Sequence, residues 1–202
     1  MLKRFLDASA AGVGLLLLSP LLLLIGLLVK LDTPGPALFL QERVGRGGKP
    51  FRIFKFRTMR DSPVQSGIEL TVGHDPRITR VGAVLRKWKL DEVPQLLNVL
   101  RGEMSLVGPR PEVPRYVALY SCEQRRVLEV RPGITDLASL EFRDENDLLV
   151  GRRDPASFYL NDIMPRKLEL NRRYIEEQSF WFDLQLIWRT VVRVLFPEQR
   201  AP

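Results

Sequence analysis

Asp91 and Glu92 are adjacent acids in the stretch RKWKLDEVPQLLNVLRGEMSLVGPRP, with Arg86, Lys87 and Lys89 just ahead of them. Further on, Arg110 is held between Pro109 and Pro111. These residue types suit chemistry on phosphate. Paired acids can hold a divalent ion that bridges phosphate oxygens. A carboxylate can also attack phosphorus and form an acyl phosphate. An arginine with its backbone stiffened on both sides offers a planar fork to a phosphate in a set geometry. A plainer role competes: acids at a helix start interact with the macrodipole, worth about 0.3–1 kcal/mol. The acids alone leave capping and catalysis both open.

The elements that must position these residues are readable in outline. ALFLQERVGRGGKPFRIFKFRTM reads as two short strands around a turn at 45–49. The second strand interleaves Phe51, Phe54 and Phe56 with Arg52, Lys55 and Arg57, a mix that could stack bases or lie at a lipid interface. A polar, turn-rich loop is expected over 61–76, then a short basic helix over 79–87. A helix is expected over 91–101, its third position Pro94 and its stop Gly102. SLVGPRPEVPRY reads as an extended loop, 116–130 as helix and RPGITD as a turn. In FWFDLQLIWRTVVRVLF, the residues Leu184, Ile187, Trp188, Val191, Val192 and Leu195 fall at helical spacing. Core packing and an interfacial helix both explain that stripe.

The N-terminus is different in kind. Residues 8–29 carry no charge, enough to span a hydrocarbon core as a helix. Lys30-Leu31-Asp32-Thr33-Pro34 offers no small-residue cleavage site, which disfavours a signal peptide. Pro20 lacks an amide proton and should kink the helix, while Ser19 can return a hydroxyl to the freed backbone. Lys3 and Arg4 precede the segment, and Lys30, Arg43, Arg46 and Lys49 follow it. Positive charge on both flanks suits a re-entrant helix with both ends cytoplasmic. Spanning and re-entrant readings both stand on these residues.

Composition narrows the partners. The 202-residue chain carries 31 Lys and Arg against 24 Asp and Glu, a net +7. Such a balance favours phospholipid, phosphorylated substrates or nucleic acid. Cys122 is the single cysteine and His74 the single histidine, which leaves no intrachain disulfide and no Cys/His metal cluster.

The run FRIFKFRTM … DPRITRVGAVLRKWKLDEVPQLLNVLRGEMSLVGPRPE … RPGIT closely resembles the bacterial sugar transferases, monotopic phosphoglycosyl transferases that act on polyprenol phosphate. The resemblance runs from the Ser-Pro helix to at least Thr135. It implies an α+β, predominantly helical fold: a re-entrant membrane helix over 1–31 broken at Ser19-Pro20, then one cytoplasmic-face catalytic domain over 32–202 with a small β-hairpin and interfacial helices. It implies transfer of a sugar phosphate from a UDP-sugar to undecaprenyl phosphate, with release of UMP, at the bacterial inner membrane. This would be the first membrane step of a glycan assembly pathway, such as that of an exopolysaccharide or O-antigen.

By the same resemblance, Asp91 is the nucleophile of a ping-pong mechanism through a phosphosugar-aspartyl intermediate. Glu92 is the partner acid, and Asp91 and Glu92 hold Mg²⁺. Arg110, with Pro109 and Pro111, recognises nucleotide and phosphate; Lys55, Arg57 and Arg86 line the phosphate pocket. A helix N-terminus and nearby cations should depress the Asp91 pKa and keep the nucleophile ionised. Nucleic acid is not an expected partner, and a homo-oligomer stays open. The chain departs from many members at Asp136 and Ser139, which follow PGIT, and at Asn171. Those departures leave the sugar open.

Overall fold

The computed structural model describes residues 2–60, 75–142 and 145–196; His74 and nearly all of the loop expected over 61–76 lie outside them. The described chain is mostly helical. Helix α1 (Leu2–Asp32) holds 31 residues and is the one described helix long and apolar enough to cross a membrane. Its helical hydrogen bonding continues on both sides of Pro20. The reason is local. Pro20 has no amide for the Leu16 carbonyl, and the Ser19 hydroxyl donates to that oxygen instead, at 2.8 Å. Residues 32–36 end the helix as expected, and Arg57 donates to the Thr33 and Pro34 carbonyls there, each at 2.7 Å.

Strands β1 (Leu38–Val44) and β2 (Pro50–Phe56) form the expected antiparallel hairpin, Leu38 facing Phe56 and Val44 facing Pro50. The aromatic residues of β2 are not a free stacking surface. Phe51 packs beside Ile53, Val99 and Met104, and Phe56 is buried with Ile25, Val29 and Leu85. The Arg101 guanidinium lies 4.7 Å from the centre of the Phe54 ring.

Helix α2 (Arg80–Lys87) is capped by Thr79, whose hydroxyl accepts the Gly82 amide at 2.9 Å. A 3₁₀ turn (Leu90–Gln95) follows, then α3 (Leu96–Arg101), which stops at Gly102. The single helix expected over 91–101 is thus two elements. Pro94, with no amide to donate, sits in the tighter turn. Asn98 on α3 is fully buried and completes the free edge of β2 as a strand would: its Oδ1 accepts the Phe54 amide and its Nδ2 donates to the Arg52 carbonyl.

Two three-residue strands, β3 (Ser105–Val107) and β4 (Gly133–Thr135), pair in parallel, where only a loop and a turn were expected. The helix expected over 116–130 is also corrected. One turn, α4 (Pro114–Val117), is followed by a separate 3₁₀ turn (Gln124–Glu129). Ser121 and Gln124 exchange side-chain to amide bonds there, a reciprocal cap that starts a new turn instead of continuing the old one. Short helices α5 (Leu137–Glu141), α6 (Glu145–Leu148) and α7 (Pro155–Phe158) lead through a π-turn into α8 (Met164–Glu177) and then α9 (Phe180–Leu195).

Helix α9 buries Leu186 against Val107, Leu140 and Tyr174. The stripe read from its sequence turns mostly the other way: Trp188 is 67% exposed, and Leu184, Val191 and Leu195 are exposed with it. Core packing therefore does not account for that stripe.

Candidate active site

The chain reaches the acids through a left-handed residue, Lys89 (φ 54°), between α2 and the 3₁₀ turn. Such a backbone is uncommon for a side chain larger than glycine and tends to mark functional sites. It reverses the chain so that Asp91 and Glu92 both come to lie buried. Neither acid caps the turn with its side chain. Capping alone therefore does not explain them.

Glu92 is surrounded by cations. Lys55 Nζ lies 2.9 Å from its Oε1, and Arg110 forks onto both oxygens, Nη1 at 3.1 Å from Oε2 and Nη2 on Oε1. A two-pronged arginine on a buried carboxylate is a strong, direction-setting contact. Burial works to raise the Glu92 pKa, but Arg110 and Lys55 outweigh it and hold the carboxyl well below its usual range. The Glu92 charge in turn raises the pKa of Arg110.

Asp91 has the opposite surroundings. Its Oδ1 is buried with no hydrogen-bond partner among the described residues. Burial first, and then the neighbouring Glu92 charge, push its pKa up against the opposing pull of Lys55, Lys89 and Arg86. This corrects the expected depression: desolvation and a like charge one residue away outweigh the cations. One acid is locked and charged; the other is unpartnered and costly to ionise.

The other predicted site residues separate into two groups. Lys55 and Arg110 join the dyad. Arg86 approaches it less directly, with Nε donating to Thr58 Oγ1 at 2.9 Å and a charge felt by Asp91. Arg57 does not join the dyad's hydrogen bonds, because both its terminal nitrogens are used on the end of α1. Pro109 and Pro111 fasten the loop through their carbonyls, which accept the Gly133 amide at 3.0 Å and Arg43 Nη1 at 3.2 Å.

That loop is held from beneath by residues that sequence reasoning did not rank. Glu112 accepts Arg43 Nη1, the Val113 amide and the Tyr159 hydroxyl. Asp136, fully buried, caps α5 through the Ser139 amide at 2.6 Å and accepts the Arg110 amide at 3.0 Å. The acid that stands after PGIT thus fixes the backbone of the arginine that forks onto Glu92. Ser139 contributes its amide to that cap. Asn171 lies buried in α8 with its Oδ1 unpartnered among the described residues. The Asp-to-amide spacing at 136 and 139 is a legible capping signal, whereas the bond to Arg110 spans 26 residues and has no sequence signature.

Asp136→Asn places a carboxamide N–H against one of the two amides that Asp136 now accepts. The Arg110 amide should then exchange with solvent about tenfold faster, at a cost of roughly 1–2 kcal/mol. Hydrogen exchange and thermal unfolding check this.

Two glycines let β3 and β4 approach. A Cβ added to Gly133 would lie 2.1 Å from the Gly108 nitrogen, and one added to Gly108 would lie 2.5 Å from the Arg131 carbonyl. These are backbone clashes with no side chain to move aside. Gly133→Ala should lower the melting temperature by roughly 10 °C, equivalent to about 3–4 kcal/mol, in a thermal melt.

Among the described residues no three His, Cys, Asp or Glu side chains gather into a ready-made metal cage. The unpartnered Asp91 oxygen fits one hard ligand for a divalent ion carried mainly by phosphates. Both Glu92 oxygens are already bonded to cations and fit that role less well.

A buried dyad with one fixed and one unpartnered acid, ringed by cations, thus sits on a body that carries a membrane-type helix. The chain belongs to the bacterial sugar transferase family, whose description matches residues 1–197. It is 42% identical over 196 residues to the UDP-glucose:undecaprenyl-phosphate glucose-1-phosphate transferase of Caulobacter vibrioides, covering 96% of this chain and 69% of that protein. It is 39% identical over 199 residues to the UDP-N-acetylgalactosamine-undecaprenyl-phosphate N-acetylgalactosaminephosphotransferase of Aeromonas hydrophila, again over 96% of this chain but 44% of the relative. The exopolysaccharide production protein ExoY of Rhizobium meliloti is 37% identical over 209 residues, 96% of this chain and 85% of that protein. The chain thus spans less than half of the Aeromonas relative's length and most of ExoY's.

Proposed function

We propose that this chain moves a sugar phosphate from a UDP-sugar to undecaprenyl phosphate, releasing UMP, as a membrane step of bacterial exopolysaccharide or related glycan assembly. The observation that carries this reading is the asymmetry of the dyad: an unpartnered buried oxygen on Asp91 beside a Glu92 that holds Arg110 and Lys55. The names of the relatives supply the substrate class.

In the first step an ionised Asp91 oxygen attacks the sugar-bearing phosphorus. The bond from that phosphorus to the bridging oxygen breaks, and UMP leaves with the electron pair. In the second step an oxygen of the lipid phosphate attacks the same phosphorus, the bond to Asp91 breaks, and the carboxylate is restored. Arg110 and Lys55, already oriented on Glu92, offset the negative charge that gathers as two anions meet. A bound Mg²⁺ would add positive charge across the phosphate oxygens, with Asp91 as its carboxylate ligand.

The placement of α1 supports a monotopic, re-entrant arrangement with both helix ends on one face, and the positive flanks of the segment favour the cytoplasmic face. Near its start, Lys3 pairs with Asp183, and Asp7 accepts the Ser105 hydroxyl at 2.6 Å. Near its end, Ile25 and Val29 pack on Phe56 and Leu85, and Asp32 accepts the Val81 amide at 3.1 Å. A helix of this length rises about 46 Å, more than a hydrocarbon core, yet both ends rest on one body. A spanning helix would carry one end away from it.

The test is UMP release from a panel of UDP-sugars with undecaprenyl phosphate and Mg²⁺, combined with mass spectrometry of the protein mixed with UDP-sugar alone. A sugar-phosphate adduct on Asp91 without lipid is expected. A folded protein that releases no UMP from any UDP-sugar overturns the transfer. Release without an adduct overturns the aspartyl step.

A further inference from the structure

We propose that a cavity beside the first turns of α1 is a binding site for the phosphate group of a membrane phospholipid, separate from the dyad. The cavity holds about 220 Å³. A water takes about 30 Å³ of liquid, so there is room for a phosphate and part of its glycerol. Lys3, Arg4, Arg46 and Arg131 line the cavity with two acids, Asp7 and Glu129; Lys3 is paired with Asp183, so Arg46 and Arg131 are the cations that matter for a ligand. Asp7 is already bonded to Ser105. None of Lys55, Asp91, Glu92 or Arg110 lines the cavity.

The arginines are braced, as a phosphate site requires. Arg46 Nε donates to the Glu129 carbonyl and Arg131 Nε to the Gly102 carbonyl, each at 2.9 Å. Each brace fixes a guanidinium while no hydrogen bond among the described residues uses its terminal nitrogens. A planar fork held by its Nε presents two parallel donors, the geometry that matches phosphate oxygens. Arg4 is different, since both its terminal nitrogens donate to the last carbonyls of α3.

Position selects the source of the phosphate. Leu2 and Phe5, on the same helical turns as Lys3 and Arg4, are 71% and 69% exposed. Apolar side chains that enter the acyl region beside cations at headgroup level are the pattern of an interfacial anchor. The inference rests on reading α1 as a membrane helix. A bound phospholipid there would hold the start of α1 at the surface while the dyad, which does not line the cavity, turns over.

The test uses the full chain in neutral detergent micelles, titrated separately with phosphatidylglycerol, diacylglycerol and inorganic phosphate. Thermal unfolding and native mass spectrometry report binding. One saturable phosphatidylglycerol per chain is expected, with a rise in melting temperature that diacylglycerol does not produce. Arg46→Gln and Arg131→Gln should each weaken binding about tenfold or more. Both variants should keep wild-type UMP release and unligated melting temperatures within a few degrees of wild type.

Equal shifts from diacylglycerol, or undiminished lipid binding in both variants, overturn the site. The same saturable shift from inorganic phosphate, lost in the variants, overturns the lipid assignment in favour of a free anion. Flotation with phosphatidylcholine vesicles separates the two readings. Wild type that does not float refutes α1 as a membrane helix; wild type that floats but binds no phosphatidylglycerol refutes this site alone.

Discussion

Asp91→Asn should abolish UMP release, by at least about 10³-fold, and should also raise the melting temperature at neutral pH. The two effects have one cause. Asp91 is buried, its Oδ1 lacks a partner, and Glu92 adds a like charge beside it. Ionising it therefore costs the folded state free energy, which a neutral amide of the same shape does not require. A gain of roughly 1 kcal/mol corresponds to about 2–4 °C.

The pH dependence has a definite sign. The folded pKa of Asp91 lies above its unfolded value, so ionisation disfavours the folded state once pH exceeds the ordinary aspartate value of about 3.9. The advantage of Asp91→Asn should be full at neutral pH and vanish in acid, where both states are protonated. The wild-type rate should in turn rise with pH through the raised Asp91 pKa. Near-normal UMP release in this variant would remove Asp91 as nucleophile, and a lower melting temperature would contradict the account of its burial.

Glu92→Gln, one residue away, should do the reverse to stability. It leaves Lys55 and Arg110 buried and facing each other without their shared anion. Breaking a buried pair in this way costs about 3 kcal/mol or more, and a melt should fall by roughly 6–12 °C. Because the folded pKa of Glu92 is held down, its stabilising contribution is full above the ordinary glutamate value of about 4.3. It is lost as pH falls through the lowered folded pKa, so the gap between wild type and variant should close in acid. UMP release should fall as well, because Arg110 loses its anchor. If both acids were simple helix caps, both variants would be mildly destabilised, each by less than about 1 kcal/mol. Opposite signs at neighbouring positions separate the two accounts.

Much of this architecture is legible along the chain because it rests on short-range rules. The uncharged run over 8–29 reads as a membrane-type helix, alternation around 45–49 reads as a hairpin, and Thr79 and Gly102 mark a helix start and a helix stop. Asp91, Glu92 and Arg110 stand out by type and spacing alone. Errors arise where a long-range contact outweighs the local rule. The β3 and β4 strands have three residues each, too few to show periodicity, and exist because two glycines let their backbones meet. Arg57 has the composition of a phosphate ligand but serves the end of α1.

By itself, then, the sequence determined which groups can act on phosphate and that an apolar helix precedes them. Residue type sets intrinsic chemistry, and hydropathy over about 20 residues needs no partner to be read. Only the tertiary structure decided what each acid does. Lys55 and Arg110, 37 and 18 residues from Glu92 along the chain, hold that acid charged against its burial, while burial and the adjacent Glu92 charge push the Asp91 pKa up. Desolvation and Coulomb interactions depend on that three-dimensional placement and not on order along the chain.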